Sequence, residues 1–186
     1  SILPIPLTTP NFLKQTHVDV EGLCDGISPC FKSINEALRR TGAGGQVLVH
    51  SGTYVENVIL VRGVSIIAVN AFEPPIIRAN NIQEPTIHIL SVSRFPVRLR
   101  GLIVTGSVYS SGVKIDGSED IEIKDCIIHG NLLGVFVNGS GKQIGNLMIA
   151  NSDIDDNFDF GIFIMGNVSN VKIYGNRILN NGRAGI

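Results

Sequence analysis

Apolar residues near the N-terminus recur at the spacing of an α-helix over residues 30 to 41. The recurring positions on one face are Phe31, Ile34, Ala37 and Leu38. Two start points fit this helix: Ser28-Pro29, with proline at the first helical position, and Ser33 with Glu36, which match a capping box. A glycine-rich stretch, Gly42–Gly45, follows and predicts the end of the helix. The pattern therefore predicts one short amphipathic helix.

After residue 45 the spacing of apolar residues changes to a period of two. Val47 and Val49 form one such alternating run, and Val58 and Leu60 form another, with the turn Ser51-Gly52 between them. This alternation is typical of strands that bury one face. From residue 46 onward the chain is predicted to consist of short strands.

The second half of the chain repeats itself. The segments Gly112–Ile115, Gly134–Val137, Gly161–Ile164 and Gly185-Ile186 begin successive units of 22, 27 and 24 residues. Each unit carries three short apolar-alternating segments separated by turns. Such a unit predicts one coil of a solenoid, in which each strand pairs in parallel with its equivalents in the neighbouring coils.

Alignment of the units places apolar residues in columns that face the interior. The columns are Ile121, Leu147 and Val171, then Ile123, Ile149 and Ile173, and finally Ile128, Ile154 and Ile178. Asn131, Asn157 and Asn181 fall at equivalent turns, where asparagine tolerates left-handed backbone angles and its amide can bond to the neighbouring coil. We therefore expect an asparagine ladder along one corner of the solenoid.

Charge and cysteine content narrow the classes of function. Fifteen basic and sixteen acidic side chains leave a formal net charge of -1, which argues against a dedicated nucleic-acid binder. Charged or turn residues interrupt every apolar run before the ~20 residues that a membrane-spanning helix needs. Among the three cysteines, Cys24 and Cys30 fit either a short disulfide loop or a free pair. No cysteines or histidines are spaced as metal ligands.

These features resemble the right-handed parallel β-helix proteins of the pectin-lyase-like superfamily. The segments Phe31–Leu38, Gly45–Leu60 and Val64–Ala68 look like the N-terminal cap and first coil of pectinesterases and of periplasmic NosD-type carbohydrate-binding β-helices. The resemblance implies an all-β fold, a right-handed parallel β-helix of about six coils over residues 46–186. A capping α-helix within residues 1–45 is then expected to plug the open end of the core.

The resemblance also implies a function that involves carbohydrate. Members of this superfamily process polysaccharides as lyases, hydrolases, esterases or epimerases, and others only bind them. The Gln-Asp-Thr-Leu-Tyr stretch of pectinesterases is absent here, and Asn157–Phe163 is only a loose echo of their second motif. We therefore expect a domain that recognises a polysaccharide on its outer face. A pectinesterase- or lyase-type enzyme and a structural, protein-binding β-helix are the alternatives, and an extracellular or periplasmic location is favoured.

Two outward pairs on the third strand of each coil are candidate catalytic groups. Alignment brings His129 beside Asp155, and Asp153 beside Arg177, at one strand spacing of about 4.8 Å. A carboxylate next to a histidine suits acid–base chemistry on a sugar, whereas solvated cross-strand pairs are the structural alternative. The aspartates within residues 153–159 suit either a Ca²⁺ site or ordinary turns. No other metal or cofactor is expected.

The first strand of each coil offers the candidate ligand-binding surface. Its outward columns are Lys114, Phe136 and Phe163, and beside them Asp116, Asn138 and Met165. In one interpretation a sugar ring lies on the phenylalanines while Lys114 meets a carboxylate. In the other, the loop over residues 106–111 or a partner chain covers the rings. The absence of tryptophan weakens the case for carbohydrate.

Further predictions concern the two ends of the chain and three histidines. Residues 1–15 contain three prolines and predict an extended strap. Apolar residues of the last unit are expected to face water at the C-terminal end. This predicts a longer β-helix, cover by the strap, or self-association through that end. His17, His50 and His88 are predicted to be isolated surface or strand-edge residues.

Overall fold

The computed structural model describes residues 12–186 and shows one α-helix and seventeen β-strands in a parallel solenoid. The helix α1 spans Ile34–Arg40. The strands are β1 Leu13–Val18, β2 Cys30–Phe31, β3 Thr41–Val49, β4 Thr53–Val55, β5 Val58–Leu60, β6 Ser65–Ala68, β7 Ile76–Arg78, β8 Ile87–Leu90, β9 Val97–Arg100, β10 Ile103–Thr105, β11 Ser111–Asp116, β12 Glu119–Lys124, β13 Ile127–His129, β14 Leu133–Ala150, β15 Asp153–Asp155, β16 Ile162–Tyr174 and β17 Arg177–Leu179. Most of the predicted N-terminal strap lies outside the described residues.

The strands form three faces, and each strand pairs in parallel with its equivalents in the neighbouring coils. The first face contains β5, β8, β11 and the N-terminal parts of β14 and β16. The second face contains β1, β3, β6, β9, β12 and the C-terminal parts of β14 and β16. The third face contains β4, β7, β10, β13, β15 and β17. Because β14 and β16 continue through the turn, the first two faces form one sheet.

The second face gives the number of coils. From residue 46 onward it contains six strands, β3, β6, β9, β12, β14 and β16, which agrees with the six predicted coils. β1 adds a further strand ahead of the boundary predicted at residues 45 and 46, with Gln15 opposite Gln46 and Val18 opposite Val49. Within the described residues, the solenoid therefore includes part of the segment that the sequence pattern assigns to the cap.

The interior columns are those that the repeats predict. Ile121, Leu147 and Val171 are register partners, as are Ile123, Ile149 and Ile173, and Ile128, Ile154 and Ile178. In the middle coils these side chains are closed off from solvent, with Ile149 and Ile154 both 0% exposed. The members in the last coil are only partly buried.

The asparagine ladder forms as predicted, although the left-handed residues are different ones. Asn131 Nδ2 donates to Asn157 Oδ1 at 3.2 Å, and Asn157 Nδ2 donates to Asn181 Oδ1 at 3.0 Å. The positive φ angles belong to the residue before each ladder member, namely Gly130, Asp156 and Asn180. The turn is thus made by an outer residue, which leaves the ladder side chain free to bond inside the corner.

The helix is shorter than predicted and begins at the second of the two predicted start points. Ser33 is the N-cap, and its hydroxyl accepts a hydrogen bond from the Glu36 amide, as in a capping box. Residues 30 and 31 pair with β1 instead of entering the helix. Cys24 and Cys30 form a disulfide, which joins the loop after β1 to β2. No helix in residues 12–186 is long and apolar enough to cross a membrane.

The helix closes the N-terminal end of the described core. Ile34, Ala37 and Leu38 are buried against the first coils. The Glu56 carboxylate accepts hydrogen bonds from the Ile34 amide at 2.7 Å and from the Asn35 amide at 3.0 Å. A carboxylate at a helix N-terminus satisfies amides that lack a partner in the helix and interacts favourably with the helix dipole. This contact fixes the cap to the turn after β4.

Replacing Ile149 by aspartate tests the interior columns. The new carboxylate lies in a closed apolar column, where an unpaired charge costs several kcal/mol, so we expect little or no soluble folded protein. The matched control is Met148→Asp on the same strand, because Met148 faces outward and is partly exposed. Circular dichroism and thermal melts of both variants provide the measurement. An Ile149→Asp protein that melts within a few degrees of the parent contradicts the column assignment.

Candidate functional site

The predicted ligand-binding residues lie side by side on the first face. Lys114, Phe136 and Phe163 are register partners on β11, β14 and β16. Asp116 and Asn138 are partners two positions along the same strands. The structure therefore brings these five residues together on consecutive coils, and Met165, the sixth residue of the outward columns, lies opposite Asn138.

Asp116 is the centre of a hydrogen-bonded cluster. Its Oδ2 accepts hydrogen bonds from His88 Nε2 at 2.6 Å and from Lys114 Nζ at 3.1 Å, and its Oδ1 accepts one from Asn138 Nδ2 at 2.7 Å. Burial alone raises the pKa of the Asp116 carboxyl, but the hydrogen bonds from His88, Lys114 and Asn138 outweigh burial and lower it. The cluster thus holds Asp116 as a carboxylate and requires a proton on His88 Nε2.

The phenylalanines form a stacked column that ends in a cation on each side. The Lys114 ammonium lies 5.7 Å from the Phe136 ring centroid, and the Phe136 and Phe163 centroids are 5.6 Å apart with ring planes at 26°. Phe160 stacks on Phe163 at 5.0 Å, and the Arg183 guanidinium lies 5.2 Å from the Phe160 centroid. Neighbours occupy the ring faces, so the rings offer their edges to solvent. This packing disfavours the interpretation in which a sugar ring lies on the faces of the phenylalanines.

Two grooves flank the Asp116 cluster. One has a volume of about 350 Å³ and is lined by His88, Lys114 and Phe136 together with Tyr109 and other loop residues. The other has a volume of about 280 Å³ and is lined by Asp116 and Asn138 with Ser91, Gly117, Gly141 and Lys142. The loop over residues 106–111, one of the predicted covers for the rings, thus contributes a wall of the first groove. Polar groups with fixed orientations border both grooves.

The candidate catalytic pair on the third face does not form a hydrogen bond. His129 and Asp155 are register partners as predicted, yet no hydrogen bond joins them in residues 12–186. Arg177 instead binds Asp155 and also donates to both carboxylate oxygens of Asp153 at 3.1 Å. The hydrogen bonds to Asp153 and Asp155 raise the pKa of Arg177. The structure therefore favours the solvated cross-strand pairs over an acid–base dyad at this position.

Three of the four aspartates considered for Ca²⁺ are paired with arginines. Arg177 binds Asp153 and Asp155, and Arg183 binds Asp159 at 3.1 Å. No group of three or more His, Cys, Asp or Glu side chains in the described part of the chain is arranged to hold a metal ion. These carboxylates serve as ion-pair partners between coils.

Three residues of the candidate site on the first face are not among the predicted site residues. Phe160 and Arg183 extend the aromatic column from turns, where strand alignment gives no register. His88 lies on β8 directly opposite Lys114, and the alternation of Ile87 and Ile89 around it matches Val113 and Ile115. Extending the repeat alignment one coil toward the N-terminus identifies this partner. The prediction that His88 is isolated is therefore wrong.

The other two histidines are also paired. His17 Nδ1 and His50 Nε2 lie 3.2 Å apart, and both residues are 8% exposed. Desolvation and the neighbouring His50 lower the pKa of His17. The prediction of isolated histidines is wrong here as well, because β1 joins the second face next to β3.

Comparison with known proteins agrees with this geometry. The family model described as right-handed β-helix region matches residues 62–186. The chain belongs to the right-handed β-helix family. No curated protein matches the chain. Among solved structures, this β-helix protein is similar to an alginate lyase from Paenibacillus sp. str. FPU-7, with a TM-score of 0.50 and 13% sequence identity over 88% of this chain and 76% of the other. At this identity the similarity shows a shared fold.

Replacing Asp116 by asparagine tests the cluster. The variant places an amide NH₂ group where the carboxylate accepts hydrogen bonds, so we expect a loss of about 1–3 kcal/mol at pH 7, seen as a lower Tm. Because the folded-state pKa of Asp116 is lowered, its contribution is present above the ordinary value of 3.8 and is lost as pH falls below it. The difference in Tm between parent and variant should therefore shrink between pH 7 and about pH 3.

The control for this experiment is Asp120→Asn, which changes an exposed carboxylate near the start of β12 that accepts one side-chain hydrogen bond, from Asn146 at 2.7 Å. Differential scanning calorimetry at both pH values gives the comparison. An Asp116→Asn variant that is as stable as the parent at pH 7 contradicts the cluster.

Proposed function

We propose that this β-helix protein binds a polysaccharide across its first face, over the Asp116 cluster and the two grooves beside it. The single observation that supports this most strongly is the cluster itself. Four polar side chains from three consecutive coils are fixed by mutual hydrogen bonds and border open grooves. A row of oriented polar groups along the solenoid axis suits a polymer whose hydroxyls recur along its length.

The chemistry of the cluster favours hydroxyl recognition. Lys114 and Asp116 neutralise each other, so the cluster offers hydrogen-bond donors and acceptors with little net charge. Lys114 retains further ammonium hydrogens for contacts with sugar hydroxyls. The Asn138 carbonyl oxygen accepts a hydrogen bond from the Ser140 amide at 3.2 Å and retains a second lone pair for such a contact. The ring edges of Phe136 and Phe163 provide an apolar border for the C–H groups of a sugar. The similarity to a polysaccharide lyase in fold is in keeping with such a ligand.

A lyase-type enzyme is the second candidate, and the His88–Asp116 contact favours it. Asp116 holds His88 with a proton on Nε2, which directs the Nδ1 lone pair away from the carboxylate. An imidazole oriented by a carboxylate is a common general base. In a uronate sugar, such a base removes the proton from the carbon next to the carboxylate. The glycosidic C–O bond on the following carbon then breaks, the departing sugar leaves with the oxygen and takes up a proton, and a C=C double bond forms. Catalysis as a lyase would depend on His88 as the base, whereas polysaccharide binding without catalysis would depend on the whole Asp116 cluster.

A panel of polysaccharides tests the proposal and separates the two candidates. Pectin, polygalacturonate, alginate and galactan are titrated into the protein by calorimetry, and parallel incubations are assayed for unsaturated product, reducing ends and methanol. Binding without product supports a recognition domain, and unsaturated product supports a lyase. If no polysaccharide of the panel binds or reacts, the proposal is contradicted.

Variants locate the binding on the first face. The double variant His88→Ala with Lys114→Ala removes two polar contacts, and each hydrogen bond contributes about 0.5–1.5 kcal/mol, so affinity should fall about tenfold or more. The control is Arg177→Ala, which removes ion pairs of the same kind on the third face and should leave affinity unchanged. Equal affinities for the double variant and the parent place the binding site elsewhere.

A further inference from the structure

His17 and His50 form a buried pair at the point where the N-terminal strand joins the solenoid. His17 lies on β1, and His50 directly follows β3, the neighbour of β1 in the second face. The facing nitrogens, His17 Nδ1 and His50 Nε2, are 3.2 Å apart, and both side chains are largely closed off from solvent. The proposed function on the first face leaves this pair unexplained.

Polar contacts continue the pair in both directions. Gln46 Nε2 donates to Gln15 Oε1 at 2.8 Å, and Gln15 Nε2 lies 3.1 Å from His17 Nε2. On the other side, His50 Nδ1 lies 3.4 Å from Asp25 Oδ2. This chain of contacts is satisfied when both imidazoles are neutral. His17 then donates from Nδ1 to His50 Nε2, and His50 carries its own proton on Nδ1, next to the Asp25 carboxylate.

Two carboxylates near the pair can compensate the charge of one imidazolium. Asp25 lies in the loop after β1 and faces His50 Nδ1. Asp19 begins the same loop, and its attraction to His50 contributes to lowering the pKa of Asp19. Asp19 also accepts hydrogen bonds from the amides of Glu21 and Cys24, which fix it in the loop. A single proton on the pair therefore has negative charge beside it.

The other elements packed against the pair add no further charge. The Tyr54 hydroxyl donates to the His50 carbonyl at 2.8 Å, and burial raises the pKa of Tyr54, so it stays neutral. β2 and β3 contain no charged residue, and Lys14 lies toward the other end of β1. Glu21 and the charged side chains of α1 form no hydrogen bond or ion pair with either histidine in residues 12–186.

A second proton has no place in the closed pair. With two imidazoliums, both facing nitrogens carry hydrogen, so two N–H groups and two positive charges meet across 3.2 Å. Burial and the neighbouring His50 both lower the pKa of His17 below its ordinary value of 6.5. In a released strand each histidine binds its own proton near that value. The closed pair thus binds fewer protons than the released one, and the attachment weakens as pH falls below about 6.5.

The pair fastens a whole unit of the N-terminal structure. β1 lies between β2 and β3 near one edge of the sheet. The disulfide between Cys24 and Cys30 links the loop that carries Asp25 to β2. If β1 leaves β3, the loop and β2 leave with it, because β2 pairs with β1 and not with β3. The edge of β3 is then uncovered.

From this arrangement we infer that the His17–His50 pair is an acid-sensitive conformational switch. At neutral pH it fastens β1, the disulfide loop and β2 to β3, and protonation of both imidazoles releases them. The switch opens the N-terminal end of the second face in acidic surroundings, while the middle coils stay closed. This inference goes beyond the proposed function and does not rest on it, because the pair lies outside the Asp116 cluster.

Nuclear magnetic resonance of the intact protein tests the number of protons on the pair. Long-range ¹H–¹⁵N spectra distinguish neutral from protonated imidazole, and they are recorded between about pH 8 and pH 5. As long as β1 is paired with β3, we expect at most one of the two rings to be doubly protonated. Two doubly protonated rings in a protein whose β1 amides remain protected overturn the inference.

Amide hydrogen exchange, corrected for its intrinsic pH dependence, tests the release of β1. Protection of the β1 amides should fall by up to about tenfold for each pH unit below about 6.5, which is the effect of one proton bound on release. The amides of β12, in the middle of the solenoid, are the internal reference and should keep their protection. Unchanged β1 protection overturns the inference, and so does an equal loss in β12, which would indicate global unfolding.

The variant His17→Gln removes one of the two titrating rings. His50 alone can take up a proton beside the two carboxylates, so we expect the pH dependence of β1 protection to disappear. The matched control is His129→Gln on the third face, which should keep the pH dependence of the parent. A His17→Gln protein with the pH dependence of the parent overturns the inference. If the variant does not fold, the titration and exchange of the parent protein decide.

Discussion

Each inward side chain of the solenoid packs on the equivalent side chain of the next coil, and the rest of the structure depends on this stacking. Ile123, Ile149 and Ile173 illustrate it, since they are successive partners in one column. A polar group at such a position lacks a partner unless its neighbours in the column are polar too. The polar column of Asn131, Asn157 and Asn181 satisfies its amides within itself and with backbone carbonyls.

The same constraint leaves the outward positions free for function. Alternate residues of every strand face outward, and stacking brings residues that are far apart in sequence next to one another. His88 and Asp116 are 28 positions apart, yet their side chains are 2.6 Å apart. Gln15 and Gln46 are 31 positions apart and share a hydrogen bond. A β-helix can thus build extended polar surfaces from single residues of successive coils, and this arrangement suits polymeric ligands.

The sequence predicted the strands, the interior columns and the register of the site, because these follow from one repeat. Prediction failed where the repeat gives no information. The apolar pattern predicted that residues 30 and 31 belong to the helix, but they form β2 and pair with β1. The repeats do not include β1, so they could not predict this pairing. Alignment placed Phe136 next to Phe163, but it gave no position for Phe160, which stacks on Phe163 from outside the named strands. Arg177 was aligned with Asp153 alone, and its reach to Asp155 depends on a side-chain conformation.

The central claim is that this right-handed β-helix protein binds polysaccharide along the outside of its coils. A crystal structure with a bound oligosaccharide tests this most directly, using the member of the panel with the highest affinity. The account predicts a sugar chain lying along the solenoid axis over Lys114, Asp116 and Asn138, with hydroxyls in hydrogen-bonding distance of these side chains. A sugar chain bound only at the ends of the coils, or on the third face beside Arg177, would contradict it.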